Sequence, residues 1–561
     1  MRQEKDMREY IVPIDIDAAG FVEKFSKKYP SIVIRPIAES IYVIEVPVDD
    51  IALINNIDQS IGGIIIPAVY GLSANEALQA SNILTFHNYP FGELRGKGTL
   101  VALIDTGIDY TNKIFQYEDN TTRIVSLWDQ NIEGNSPYNF QFGTQYTEEQ
   151  INTALKSPAP YSVVPSKDEI GHGTFLAGVA AGKDRSAGGS YTGAAPDCNL
   201  VIVKLRQISQ ELRAQYFIPN GVPAYAETNI IAGVSYAIQE ATRVKKSVAI
   251  LIGLGNNFGD HGGSTILEKY LSSLTTYPGI VVVVAAGNEG NAGSHYQGNI
   301  TTGGKVDIEV NIAEKEEGLN IGLWTRDADK VSISLVTPIG QIVERVPLQV
   351  NKEQKFKFTL QESIVTISYS YPNVTTGGEL VVISLEKPIP GRWTISIYGD
   401  YIINGIFNMW LPRIGFINSN TRFTEPNSST TVSIPGTATD VIVVGAYDYI
   451  DGSIYAASGR GPTTTAAIRP DLVAPGVNVE GPSLAGGYTI YVGTSTAAAI
   501  TVGACALLLE WAIVKGNLPT LNTRIARVIL IRGASRQRGV SYPNNIEGYG
   551  KLDLENSFAL L

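Results

Sequence analysis

Five apolar residues in a row, Leu100-Val101-Ala102-Leu103-Ile104, end in a carboxylate at Asp105. The same pattern returns at 200–205, at 247–252 before Gly253-Leu254-Gly255, at 279–285 before Ala286-Gly287-Asn288, and at 441–444. Short runs without a polar side predict strands buried on both faces. Between them, 228–241 and 264–275 place apolar residues at helical spacing. Alternating strands and helices predict an α/β body: a parallel sheet with helices on both faces, right-handed connections, and functional groups at the strand carboxyl ends.

Two stretches have a different texture. Residues 10–71 read as strand (10–15), helix (18–29), two strands (31–37 and 41–46), helix (49–57) and strand (63–70), the ferredoxin-like β-α-β-β-α-β order. Residues 72–98 follow as a connection, with a helix at 75–83 and a turn at Tyr89-Pro90-Phe91-Gly92. From 304 to 417 the helical period disappears. Alternating strands are expected at 305–312, 319–324, 330–337, 356–360, 364–369, 379–385, 392–399 and 406–411, which together suggest an all-β, jelly-roll-like sandwich. Since buried-strand texture resumes afterwards, the β unit is inserted in the α/β unit. The expected division is 1–72, then 73–300 with 420–561, with 301–419 inserted.

Composition narrows the function classes. The 561 residues are 44% hydrophobic and 17% charged, as expected of a folded, core-forming chain. A net charge of −11 with no basic block argues against nucleic acid or an anionic membrane as partner. Cys198 and Cys505 form neither a metal-ligand spacing nor a disulfide framework. The charged N-terminal stretch has no apolar h-region, and no uninterrupted apolar run approaches membrane-spanning length. An intracellular, cytoplasmic location is therefore expected, or export by a route the sequence does not show.

The chemistry lies in four glycine-flanked segments. Asp105 begins Asp105-Thr106-Gly107, and His172 stands in Gly171-His172-Gly173-Thr174 ahead of an apolar helix. Ser495 stands in Gly493-Thr494-Ser495 at the start of another, and Asn288 closes Ala285-Ala286-Gly287-Asn288. Alone, Ser495 would read as a helix cap. A serine becomes a nucleophile when an imidazole removes its proton and a carboxylate holds that imidazole in one tautomer. An asparagine amide and a helix-start N–H can then stabilise an oxyanion. Ala497 excludes the Gly-Xaa-Ser-Xaa-Gly elbow.

These segments, in this order, resemble the signatures of the subtilisin-like serine proteases, the subtilases. Arg469-Pro470-Asp471-Leu472-Val473-Ala474-Pro475-Gly476 adds a further match. The resemblance implies Asp105, His172 and Ser495 as catalytic residues and Asn288 with the Ser495 N–H as oxyanion donors. It also implies a peptide substrate strand paired with 251–255, so that Leu251, Gly253, Leu254 and Gly255 are expected to bind substrate. Leu254 and Gly255 would favour an uncharged, bulky P1 side chain (the residue on the acyl side of the scissile bond). Gly253 departs from the serine common in the family. Ala195-Pro196, Leu254-Gly255-Asn256-Asn257 and Ala499 are similar to the germination-associated subtilases of spore-forming bacteria. That likeness implies a retained prodomain at 1–72 that occupies the cleft, a jelly-roll insertion, and self-cleavage within 70–75 or, alternatively, in the 85–98 loop. A catalytically silent binding protein and an esterase are the rival classes. No cofactor is required. Asp119 and Asp129 lie in oxygen-rich loops that could hold calcium, but their spacing is not diagnostic and no metal is expected. Asp109 is expected to fix the turn after Asp105, and His87, His261 and His295 to be surface or hydrogen-bonded residues rather than catalytic ones.

Overall fold

The computed structural model describes residues 7–13, 18–38, 41–47, 74–87, 92–138, 140–186, 189–349, 352–358, 362–559 and 561. The helix expected at 49–57, the strand at 63–70, the turn at 89–92 except its last residue, and most of the 70–75 cleavage stretch lie outside them. The chain divides into two compact units, Met1–Leu72 and Ser73–Leu561.

In the first unit, Met7–Pro13 and Val33–Ala38 flank Ile41–Pro47 in an antiparallel sheet. Ala18–Lys28 is a helix with Phe25 buried.

The second unit is built on an eight-stranded sheet. Its strands are β1 (Leu100–Asp105), β2 (Ile124–Asp129), β3 (Thr144–Thr147), β4 (Asn199–Lys204), β5 (Val248–Ile252), β6 (Ile280–Ala285), β7 (Ile442–Asp448) and β8 (Leu472–Val477). They lie in the order β8-β7-β6-β5-β1-β4-β2-β3, and only the β2–β3 pair is antiparallel. The apolar runs hide an alternation. Leu100, Ala102 and Ile104 point to the core under helices α2 (Glu227–Val244) and α3 (Ile266–Leu274). Val101 and Leu103 point to the opposite core, with α1 (His172–Ala181) and α4 (Thr494–Leu509). Each strand therefore feeds two cores, which is why both of its faces are apolar.

Helix α4 runs on through a π-turn, Glu510–Val514. Thr494–Val514 is 21 residues long, its most apolar stretch is 83% buried, and among the described residues it is the one helix apolar enough to cross a membrane by length and composition. It is not an uninterrupted apolar run, because Thr494, Ser495, Thr496, Thr501 and Glu510 interrupt it. Its burial is that of a core helix. At its far end the buried Glu510 carboxylate accepts from the N–H groups of Arg95 (2.8 Å), Gly96 (2.7 Å) and Lys97 (3.0 Å), just before β1. The preceding helix, Ala74–Ala80, is followed by Ser81, whose carbonyl accepts from the Leu554 N–H, and by Asn82, which donates to Asp553.

The inserted segment is an antiparallel β-sandwich. One sheet has the order 295–299, 406–410, 318–325, 380–386, 364–370, 353–357, and the other 342–346, 330–336, 391–401, 305–312, 422–423. Val365, Ile367, Val381, Ile383, Ile395 and Ile397 fill the space between the sheets. Strands 295–299, 342–346 and 422–423 were not expected, and the outer two lie beyond the 301–419 stretch. The sandwich is attached through Trp410, whose ring stacks between His261 (4.1 Å) and His295 (4.9 Å).

Candidate active site

The carboxyl ends of β1, β5 and β6 meet the starts of α1 and α4. Asp105 is the last residue of β1 and is 2% exposed. Gly171, at φ 91°, turns the chain into α1, where His172 is the first residue. Gly173 must be a glycine, because a Cβ there would lie 2.2 Å from the Gly107 carbonyl oxygen. His172 Nδ1 lies 2.7 Å from Asp105 Oδ1, and Nε2 lies 3.2 Å from Ser495 Oγ. The carboxylate partner puts the proton on Nδ1, leaving Nε2 to accept from the serine hydroxyl. Asp105 Oδ1 also accepts from the Thr106 N–H, while Oδ2 is buried and has no hydrogen-bond partner among the described residues. Burial disfavours the charged His172 ring, but the adjacent Asp105 carboxylate outweighs it and holds the pKa above the ordinary 6.5.

Asp168 was not singled out from the sequence, yet it ties the two loops together. It is 6% exposed. Its Oδ1 accepts from Thr106 Oγ1 (2.9 Å), Gly171 N (2.8 Å) and Ile170 N (3.1 Å), and its Oδ2 from Thr174 N (2.9 Å) and Thr174 Oγ1 (2.7 Å). The Asp105 turn and the first turn of α1 thus share one carboxylate. Asp109, expected in that part, instead accepts from Thr111 and Tyr161.

Ser495 is the second residue of α4, after Gly493 and Thr494, so it is not the cap. The cap residue Gly493 has no side chain to bond the first-turn amides, and the Ser495 N–H is among the donors that a helix start leaves without an intrahelical acceptor. Asn288 Oδ1 accepts from both the N–H and the hydroxyl of Thr494, each at 3.1 Å. The same hydroxyl accepts from the Gly287 N–H (3.0 Å). With the amide oxygen held there, the Asn288 NH₂ is the group left to face an incoming carbonyl oxygen.

A small pocket of about 30 Å³ opens beside Ser495 and Asn288, lined by Gly253, Leu254 and Gly255 and by Glu289, Arg413 and Ser433 among others. Leu251 is not brought to it. It lies inside β5, paired with Leu103 and Val283 and 1% exposed, because the sheet continues on both sides of that strand. A Cβ on Gly253 would come 2.8 Å from Leu176 and 3.3 Å from Ser495 Cβ, so the missing side chain leaves room for the packing of α1 and α4. Glu289 and Arg413 escaped the sequence reading: the first followed a motif residue without a role of its own, and the second belongs to the insertion.

His87 Nε2 bonds the Ala194 carbonyl, His261 the Val432 and Asn257 carbonyls, and His295 Asn408 and the Asn427 carbonyl. All three rings are buried away from the triad segments. Asp119 accepts from Thr121, and Asp129 from Asn131 and Ser166.

A profile of the subtilase family (Peptidase S8) matches residues 96–319 and 417–550. The chain belongs to the subtilase family. The unmatched interval, 320–416, falls within the sandwich of this subtilase. Its fold is similar to the structure of the Clostridium perfringens CspB protease, with TM-score 0.77 and 32% identity over 87% of this chain and 99% of that one. It is 34% identical to mouse membrane-bound transcription factor site-1 protease over 137 residues, 23% of this chain and 12% of that protein. With serine protease AprX of Bacillus subtilis it shares 30% identity over 201 residues, 35% of this chain and 34% of that protein. The chain thus spans much less than two thirds of these two relatives' own length.

Proposed function

We propose that this subtilase is a serine endopeptidase that hydrolyses peptide bonds through an acyl-enzyme. The observation that carries the proposal is the continuous path Asp105 Oδ1–His172 Nδ1 (2.7 Å) and His172 Nε2–Ser495 Oγ (3.2 Å). Ser495 Oγ attacks the scissile carbonyl carbon as its proton passes to His172 Nε2. Asp105 holds the ring and stabilises the imidazolium that forms. The Asn288 NH₂ and the Ser495 N–H receive the developing oxyanion, a contribution of about 2.7–4 kcal/mol for such a donor. His172 then protonates the leaving amine, and water, deprotonated by the same ring, releases the acid.

The N-terminal unit acts in this proposal as a prodomain, cut by the enzyme itself within 70–75. The fixed lead into β1 supports this site over the 85–98 alternative, because Leu94 is buried and the 95–97 amides are held by Glu510. A protein substrate activated by limited proteolysis fits the same reading. The test is active-site labelling with a fluorophosphonate, together with intact mass. Labelling and N-terminal processing are expected in the wild type and neither in Ser495→Ala. A folded wild type that takes no label would sink the proposal in favour of a silent binding protein.

A further inference from the structure

We propose that Arg413, carried by the inserted sandwich, makes this cleft select an acidic P1 residue, a glutamate or aspartate carboxylate pairing with the guanidinium. The proposal rests on the endopeptidase reading and specifies its substrate class.

Arg413 is held in place from both sides. Trp410 is clamped between His261 and His295, the Leu411 N–H donates to the Ser294 carbonyl (2.8 Å), and the Ile414 N–H reaches the Glu289 carboxylate (3.3 Å). The intervening loop therefore leaves the sandwich at a fixed point, and Arg413 lines the same cleft as Ser495 and Asn288. Among the described residues the guanidinium has no ion-pair or hydrogen-bond partner, and its neighbour is the Phe416 ring, 5.5 Å from its centre. A half-buried guanidinium with no carboxylate hydrogen-bonded to it, beside a reactive serine, can take an anionic ligand on its fork of N–H donors.

Two titratable groups feel this charge. Glu289 is 3% exposed and already accepts from Asn257, Ser294 and Ile414. It lines the same cleft as Arg413. Burial raises its pKa and the Arg413 charge opposes the rise, while its hydrogen bonds go to Asn257, Ser294 and Ile414 rather than to the guanidinium. At His172, Arg413 works against the charged ring. Gly253, Gly255, Ala285 and Ser433 are small and uncharged, so that Arg413 and the buried Glu289 are the ionic side chains lining the cleft. The uncharged P1 expected from Leu254 and Gly255 did not include this residue, which lies 125 positions beyond Asn288. The stretch 70–75 contains no acidic residue. A cut there is assisted by the high effective concentration of a tethered segment, so the acidic preference applies to substrates in trans.

The experiment compares kcat/KM for peptides differing only in P1 (Glu, Gln, Leu, Lys) in wild type, Arg413→Gln and Arg413→Lys, with fluorophosphonate labelling in parallel. In the wild type, Glu is expected to exceed Leu and Lys by tenfold or more. The Glu/Gln ratio should fall roughly ten- to a hundredfold in Arg413→Gln, the range for a hydrogen-bonded charge, and be largely kept in Arg413→Lys. Added salt should lower the ratio in the wild type, a readout that survives even if Arg413→Gln does not fold. A wild type that prefers Lys, or a Glu/Gln ratio unchanged in a labelled Arg413→Gln, would overturn the proposal while leaving the endopeptidase reading standing. Absence of label from folded wild type would remove both.

Discussion

Replacing Asp168 by alanine removes one carboxylate and strands five donors. Two of them, the hydroxyls of Thr106 and Thr174, can rotate; they already accept from Gly173 N and Asp109 N. The Ile170 amide is at a half-exposed position and can reach water. The buried Gly171 and Thr174 amides cannot turn away. Each buried donor left without an acceptor costs about 1–3 kcal/mol, and a water entering the vacated space recovers part of that. A net local loss of about 3 kcal/mol is expected, which is about two orders of magnitude in an opening equilibrium. Hydrogen exchange read by mass spectrometry on peptides spanning 168–178 should show that loss of protection, whereas β6 and the sandwich should keep theirs. Because the turn sets the ring of His172, fluorophosphonate labelling of Ser495 should slow by tenfold or more. Asp168→Asn keeps one acceptor oxygen and should fall between. Wild-type protection of 168–178 together with a wild-type labelling rate in Asp168→Ala would refute this assignment of Asp168 as a positioning residue.

Other expectations can be checked separately. The labelling rate should rise with pH through a His172 pKa above 6.5. In Asp105→Asn the limb should move to lower pH, since burial remains without the opposing carboxylate, and the plateau should drop by about 10⁴. Thr494→Val removes the hydroxyl that orients Asn288 and should lower kcat roughly tenfold with little change in KM, part of the about 2.7–4 kcal/mol available from an oxyanion donor; an equal rise in KM would contradict this. Burial holds His295 down at about 4, so the unfolded chain takes up this proton first. Stability should be lost as pH falls from about 6.5 towards 4, by about 3 kcal/mol. Thermal unfolding followed by tryptophan fluorescence should show that loss, with a flatter profile in His295→Asn; identical profiles would argue against it.

The site was legible where chemistry and backbone coincide. Asp105, His172, Asn288 and Ser495 each sit at a strand end or helix start that glycines or small residues open, and both facts are local in sequence. Residues acting across the fold left no such mark. Asp168 bonds Thr106 over 62 positions, Glu510 reaches back 415 to Arg95, and Arg413 arrives at the cleft from another layer. Leu251 was misplaced because a buried strand and a cleft-lining strand have the same apolar composition, and only the neighbours on either side distinguish them. Strand 342–346 was missed because Glu344 and Arg345 interrupt its alternation at a sheet edge, where both stay exposed.

Helix α4 also bears on how far the chain can be trimmed. One end presents Ser495, and the other, through Glu510, grips the residues that lead to Asp105. Ser495 and the lead into Asp105 are thus moored to a single helix. Upstream, the segment that follows Ala74–Ala80 is stitched to Asp553 and Leu554. An amino terminus created within 70–75 would emerge just before, or within the first two residues of, the helix Ala74–Ala80. It would offer little slack to a trimming peptidase, and trimming as far as Arg95 would release the mooring of β1 itself.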